Sequence, residues 1–233
     1  GWIYGVIGKS NAAYASWLHD NGFADDKKRF KMFTFSKLYV SNHKVLTDRL
    51  CILSNTINLY LSFFPEKSTE EFIKGIFSDN EFTLGDTQSK VHFHVRNIEM
   101  LPPPVFHNFA FQAISPIVVS KKLENGGRKY LSPETENYGQ LLFNNLKEKY
   151  KAFYGKPSDA ADDFDFKLTS NSHAKLIKIK ANTPQETNIR GFLFNFEMQT
   201  DEQLLNIMYE AGAGEKGSLG FGMVRNNCEL LRN

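Results

Sequence analysis

Apolar positions recur along the chain with two periods, three-to-four and two, and their succession predicts an order of helices and strands. Tyr14, Trp17 and Leu18 share one face of a helix opened by Ser10 and stopped by Gly22, with His19 in its last turn. Lys31 to Val40 is rich in β-branched and aromatic residues, and Leu50 to Phe64 alternates Ile57, Leu59, Leu61 and Phe63, so both predict strands. Ser68, Thr69, Glu70 and Glu71 then offer a capping box and first-turn acids to a helix whose buried face is Phe72, Ile73, Ile76 and Phe77. Val91, Phe93 and Val95 alternate in a further strand.

Three consecutive prolines, Pro102, Pro103 and Pro104, remove backbone donors and favour an extended linker, which places a domain boundary between residues 1–101 and 102–233. Beyond it a strand runs through Phe109, Phe111, Ile114 and Ile117. A helix opened by Ser132 and Pro133 follows, carrying Leu141, Leu142, Leu146, Tyr150 and Phe153 to Gly155. Two strands come next, Phe164 to Leu168 extended by Leu176, Ile177 and Ile179, and Gly191 to Met198 with Phe192, Phe194 and Phe196 alternating. A helix starts at Thr200 with Gln203 closing its capping box and ends at Gly212, and a last strand runs from Phe221 toward Leu231. The second half therefore reads βαββαβ and the first αββαβ, which predicts an α+β architecture of two tandem ferredoxin-like domains. The first domain lacks its first strand in this reading, as expected if residues upstream of Gly1 belong to a longer parent chain.

Composition narrows the class. The 233 residues are 41% hydrophobic and 23% charged, an ordinary globular balance that excludes disorder and fibrous repeats. No apolar run is long enough to span a bilayer, and no secretory signal pattern opens the chain. Two cysteines, Cys51 and Cys228, are too few for a disulfide scaffold and imply a reducing cytoplasm. A net charge of +2 does not demand a polyanionic partner. Basic residues do gather, at Lys27, Lys28, Arg29, Lys31 and Lys37 and at Lys167, Lys175, Lys178, Lys180 and Arg190, where they serve either as a solvated face or as phosphate contacts.

The most unusual segment is Gly212 to Gly222, with five glycines in eleven positions between a helix and a strand. Gly212, Gly214 and Gly217 match G-x-G-x-x-G, but a dinucleotide fingerprint follows a strand and opens a helix, and this segment does the reverse. Two readings remain: a helix C-cap and turn that needs positive φ, or a backbone exposed to a polyanion with Lys216 beside it. Among the histidines, His92 and His94 share a strand face but have no carboxylate or cysteine at ligand spacing, so neither a metal nor a cofactor is expected. His43 is an alternative acid or base, His107 and His173 have no evident partner, and no G-x-S-x-G elbow is present.

Gly212-Ala213-Gly214-Glu215-Lys216 through Ser218-Leu219-Gly220-Phe221-Gly222-Met223-Val224 resembles the C-terminal glycine-rich signature of the CRISPR-associated repeat-processing endoribonucleases, in the repeat-associated mysterious protein superfamily. Ile3-Tyr4, Trp17-Leu18-His19-Asp20 and Lys31-Met32-Phe33-Thr34-Phe35-Ser36 are similar to that family's first helix, catalytic histidine segment and following strand. The resemblance implies two ferredoxin-like domains and a metal-independent cleavage of CRISPR repeat RNA, by attack of a 2′-hydroxyl on the adjacent phosphate to leave a cyclic phosphate and a 5′-hydroxyl. It assigns proton transfer to His19, orientation or activation of the 2′-hydroxyl to Tyr4 and charge stabilisation to Lys31, with the neighbouring basic residues 27–29 as alternatives to the last. Without it, His19 is equally a helix C-terminal cap. The glycine-rich loop (Gly212, Gly214, Lys216, Gly217, Ser218, Gly220) and Lys167, Lys175, Lys178, Lys180 and Arg190 are the expected RNA-binding set. Expected partners are repeat RNA and an effector complex or a fused parent protein, with no membrane. The rival expectation is a non-catalytic guide-RNA-binding subunit of an effector complex on the same fold.

Overall fold

The structure is a computed structural model and describes residues 1–26, 28–47, 49–86, 88–106, 108–159, 164–181 and 183–226. Lys27, His107, Cys228 and Leu231, on which expectations fell, lie outside the described residues. Where one opening helix was expected there are two, α1 (Trp2–Ser10) and α2 (Ala12–Asp20). Ile3, Val6 and Ile7 give α1 its buried stripe. Asn11 breaks the pair at φ −147°, and its side-chain oxygen accepts the Tyr14 N–H at 3.0 Å, so Asn11 rather than Ser10 is the N-cap of α2.

A tight hairpin, β1 (Phe23–Asp25) with β2 (Lys28–Phe30), leads to a long antiparallel arm. The two strands expected over 31–40 and 50–64 are here broken into β3 (Phe33–Phe35), β4 (Tyr39–Val40), β5 (His43–Val45), β6 (Leu50–Ile52), β7 (Ile57–Asn58) and β8 (Leu61–Phe63). They pair β3 to β8, β4 to β7 and β5 to β6. The ladder is interrupted where serine hydroxyls replace main-chain partners: Ser36 Oγ accepts the Tyr60 N–H at 3.0 Å, and Ser54 Oγ accepts the Asn42 N–H at 2.8 Å.

The next helix, α3 (Glu66–Ser78), begins after Pro65, so Ser68 is not its cap. Ser68 is fully buried, with its hydroxyl 2.7 Å from that of Tyr14. The buried stripe is Ser68, Glu71, Phe72, Gly75 and Ile76, and Phe77, expected inside, is 84% exposed. The stripe follows the closest approach of α3 to α1, where a Cβ on Gly75 would lie 2.0 Å from the Val6 carbonyl, and Phe77 falls past its edge. The expected strand at Val91 is β10 (Lys90–His94), and its antiparallel partner β9 (Glu81–Gly85) was not anticipated.

After the proline segment come β11 (Ala110–Ala113), the hairpin β12 (Ser120–Lys122) and β13 (Arg128–Tyr130), and α4 (Tyr138–Tyr154). The helix starts later than Ser132, because residues 132–137 are spent in turns in which the Ser132 hydroxyl bonds the Glu134 carboxylate. It stops at Gly155 in the left-handed conformation, φ 72°, as its sequence predicts. Then follow β14 (Asp165–Leu168), an arm of β15 (His173–Ile179) and β16 (Thr187–Leu193), β17 (Asn195–Gln199), α5 (Glu202–Ala211), a 3-10 turn Gly217–Leu219 and β18 (Val224–Asn226). Asp201 caps α5 by accepting the Gln203 N–H at 2.9 Å, in place of the expected Thr200. The strands β14, β17, β11 and β18 form one antiparallel sheet in that order, the split βαβ arrangement that the second half predicted.

Two cores result. Phe111, Leu142, Phe143, Leu146, Phe196 and Met208 belong to one, and Ile3, Ile7, Leu18, Phe33, Phe72 and Ile76 to the other. Met32 is buried in the first and its neighbour Phe33 in the second, so the start of β3 joins them.

Candidate active site

The three residues singled out for cleavage chemistry come together, although they arise from three separate elements. Tyr4 projects from α1 and His19 from the last turn of α2, and their rings meet edge to face, with centroids 4.9 Å apart at 85°. Lys31, between β2 and β3, donates from Nζ to the His19 carbonyl at 2.5 Å. That carbonyl is one of the orphan acceptors at a helix C-terminus, where a cation is favoured. The approach needs Gly22. With φ at +62°, any Cβ there would lie 2.5 Å from the Phe30 carbonyl and 2.9 Å from Lys31 Cδ.

Behind the rings the helix corner is pinned by a polar cluster on α3. The Ser10 hydroxyl donates to the Glu71 carboxylate, the Asn11 amide donates to it at 3.2 Å, and these bonds hold the Glu71 carboxyl below the usual carboxylate range. Glu71 thereby ties the junction of the helices that carry Tyr4 and His19 to α3.

The glycine-rich loop supplies the fourth wall. The Ser218 side chain, on the 3-10 turn, lies beside the Tyr4 phenol and acts to lower its pKa. Burial nonetheless pushes that phenol up to about 12, so Tyr4 stays protonated near neutrality. Ser218 was expected at the RNA, and no sequence signal paired it with Tyr4. Asp20 was also not anticipated: its carboxylate lies 2.7 Å from His19 Nδ1 and accepts from Ser16 Oγ at 3.1 Å, and the bond from His19 does most to hold it below the usual range. An ionised Asp20 can only accept, which puts the proton on Nδ1 and leaves Nε2 of the exposed imidazole open to a substrate. The Lys31 amine is lowered, first by partial burial and then by the Arg29 charge.

The loop's glycines serve packing. A Cβ at Gly214 would lie 2.4 Å from the Val118 carbonyl, at Gly217 2.7 Å from the Phe33 carbonyl, and at Gly220 2.6 Å from the Phe35 ring. Gly212 and Gly214 are buried, whereas Lys216, Gly217, Ser218 and Gly220 are half-buried on the side of β3. The Thr34 hydroxyl donates to the Phe221 carbonyl at 2.8 Å and ties the loop's far end to β3.

The basic set of the second half is not gathered on one surface. Across the β15–β16 arm Leu176 faces Arg190 and Lys178 faces Asn188, which puts Arg190 and Lys178 on one side. Lys175, opposite Gly191, shares the other side with Ile177 and Ile189. Lys178 pairs with Glu186 at 3.2 Å, Lys167 pairs with Glu197 at 3.8 Å, and Lys180 ends the strand at φ 52°. His92 lies 2.8 Å from the Thr83 hydroxyl, His94 faces Glu81 at 3.9 Å, His43 Nδ1 rests 3.0 Å from the Val40 carbonyl, and His173 is exposed at the start of β15. Among the described residues no three His, Cys, Asp or Glu side chains gather as metal ligands, and no helix is long and apolar enough to cross a membrane.

Residues 1–99 match the family model for the CRISPR-associated protein Cas6, N-terminal, and residues 101–226 that for its C-terminal part. A CRISPR-associated endoribonuclease Cas6 of Methanocaldococcus jannaschii is 33% identical over 227 residues, covering 96% of this chain and 82% of the relative. A solved structure described as a CRISPR-associated protein Cas6 superposes with a TM-score of 0.74 at 32% identity, over 96% of this chain and 87% of that one. Another, described as an RAMP protein binding different RNA substrates, gives 0.76 at 26% identity, over 96% and 87%.

Proposed function

Because this chain belongs to the Cas6 family of CRISPR-associated proteins, we propose that it is an endoribonuclease that cuts CRISPR repeat RNA through its own side chains, without a metal ion. The observation that carries this reading is the convergence of Tyr4, His19 and Lys31 on one spot beneath Ser218. Cleavage by an internal nucleophile needs a group that takes the 2′-hydroxyl proton, a group that gives a proton to the departing 5′-oxygen as the phosphorus–oxygen bond breaks, and positive charge beside the phosphorane. His19 Nε2 makes one of these two proton transfers, as general acid or base, and a solvent water makes the other. Histidine suits the task because its ordinary pKa of about 6.5 leaves both forms accessible near neutrality. Tyr4, protonated and beside Ser218, orients the 2′-hydroxyl as a hydrogen-bonding partner rather than as a base. Lys31 spends one N–H on the His19 carbonyl and has two left for a phosphate oxygen.

RNA is held by the half-exposed part of the glycine-rich loop, and of the second-half basic residues Arg190 and Lys178, on one side of the β15–β16 arm, are the pair placed to act together on phosphates. The test uses end-labelled repeat RNA in excess chelator, with wild type, His19→Ala and an RNA carrying a 2′-deoxy substitution at the cut. Cleavage that survives chelation and falls about 10²- to 10⁴-fold with His19→Ala is expected, together with complete loss on the deoxy RNA. Tight binding with no cut in any condition would instead leave the protein as a guide-RNA binder.

A further inference from the structure

The glycine-rich loop starts on a buried amine that the chemistry above does not use. Lys149 comes from the middle of α4 and is 4% exposed. Its Nζ donates to the Gly212 carbonyl and lies 3.5 Å from that of Ala211. Those are terminal carbonyls of α5, which have no acceptor role within the helix. Gly212 itself turns at φ 87° into the loop. Lysine is almost never fully buried unless paired, and this one has no carboxylate within ion-pair distance among the described residues. Burial pushes its ammonium down to about 7, against the pull of Glu215 in the loop and Glu148 on its own helix. Both acids are engaged elsewhere: Glu215 accepts from Ser120 Oγ at 2.8 Å and from Arg128 at 2.9 Å, and Glu148 pairs with Lys28.

An apolar side chain of similar length would fill the same space without that desolvation. What it would not do is hold the loop's first carbonyls. From that point the loop is tied by Ala213 N–H to the Gly222 carbonyl at 2.7 Å and by Glu215 N–H to the Val118 carbonyl at 2.8 Å, and then rises to Ser218. We propose that Lys149 is a positioning residue for the cleavage centre, fixing the base of the glycine-rich loop so that Ser218 meets the Tyr4 phenol. The inference rests on the assignment of Tyr4 and His19 to the reaction.

The test measures single-turnover cleavage at saturating RNA, and RNA affinity, for wild type, Lys149→Met, Lys149→Gln, Tyr4→Phe, His19→Ala and the Lys149→Met/Tyr4→Phe double variant, well below their melting temperatures. Lys149→Met is expected to lower the rate about 10- to 100-fold through misplacement of the loop, with affinity within about twofold of wild type. Lys149→Gln, which keeps a donor, recovers part of that rate. In the Tyr4→Phe background the same Met substitution costs less than about threefold, because the contact it serves is already gone. Wild-type rate in Lys149→Met, or an equal loss in both backgrounds, overturns the proposal. If Tyr4→Phe and His19→Ala both cleave like wild type, the centre is elsewhere and the inference falls with it, a result recognisable from those two variants alone. Should Lys149→Met not fold, Lys149→Gln carries the same comparison.

Discussion

The Tyr4 phenol, the Asp20 carboxylate and the Lys149 amine are shifted by different causes: burial for the first and last, a hydrogen bond from His19 for the second. Another shifted group is Glu210. It lies in the last turn of α5, where the helix dipole disfavours an anion, and burial pushes its carboxyl from 4.5 up to about 7. The folded protein therefore holds the proton more tightly than the unfolded chain between these values. Stability from this group is fully present below pH 4.5 and is lost as pH rises through 7. Glu210→Gln, neutral throughout, should melt with wild type at pH 4 and above it at pH 8, the gap opening on the way. Thermal melts across that range check it, and a gap independent of pH would refute the assignment. The resemblance pointed to His19, Tyr4 and Lys31, which the structure brings together, whereas no sequence pattern pointed to the Asp20–His19 contact, to Lys149 or to the Ser218–Tyr4 contact. Adjacent residues on a helix do not ordinarily face one another, and the other two contacts join segments far apart in sequence.

Among elements, those with a strong periodic stripe and an ordinary stop were readable, and those defined by a close approach were not. The stop of α4 at Gly155 needed only local pattern, whereas the single strand expected over 191–198 divides at Phe194 into β16 and β17, and the one expected over 164–179 into β14 and β15, each pair split between two different sheets. The inward side of α3 is chosen instead by its crossing with α1, which Gly75 permits, and that choice left Phe77 outside. Two glycine substitutions separate these effects. A Cβ at Gly75 meets main-chain oxygen at 2.0 Å, which a helix pair relieves only by moving apart. Gly75→Ala should therefore cost about 1–3 kcal/mol or more despite alanine's better helix propensity. At Gly8, on α1, the added methyl would find only Ala15 Cβ at 3.6 Å, an ordinary contact, and Gly8→Ala should be neutral or stabilising by up to about 1 kcal/mol. Urea denaturation of both variants decides the matter: equal effects would mean that the crossing does not dictate the orientation of α3.

At the scale of the molecule, the βαββαβ order of the second half was readable because its two helices carry strong apolar stripes and ordinary stops that bracket the strands, while the first half hides its pairing in strands of two and three residues interrupted by serine hydroxyls. The reading of two tandem units also left out how closely they are joined. Met32 and Phe33 are consecutive yet lie in different cores, Lys151 of α4 holds Asp25 of β1 at 2.7 Å, and Phe23 packs on Phe153 with ring centroids 5.0 Å apart. The Thr34 hydroxyl, fully buried, bonds the Phe221 carbonyl from across the seam. Chains of this length often unfold in steps, domain by domain. Here neither core can open without exposing Met32 or Phe33 and stripping the loop from β3, so a single transition is expected, with calorimetric and van't Hoff enthalpies in agreement. Thr34→Val keeps the shape but leaves the Phe221 carbonyl without its donor, at a cost of about 1–3 kcal/mol. That cost should move the whole transition down. Two resolved transitions in wild type, or a shift confined to one phase in Thr34→Val, would mean that the halves are stable independently and that the proposed cleavage site is assembled by docking rather than by folding.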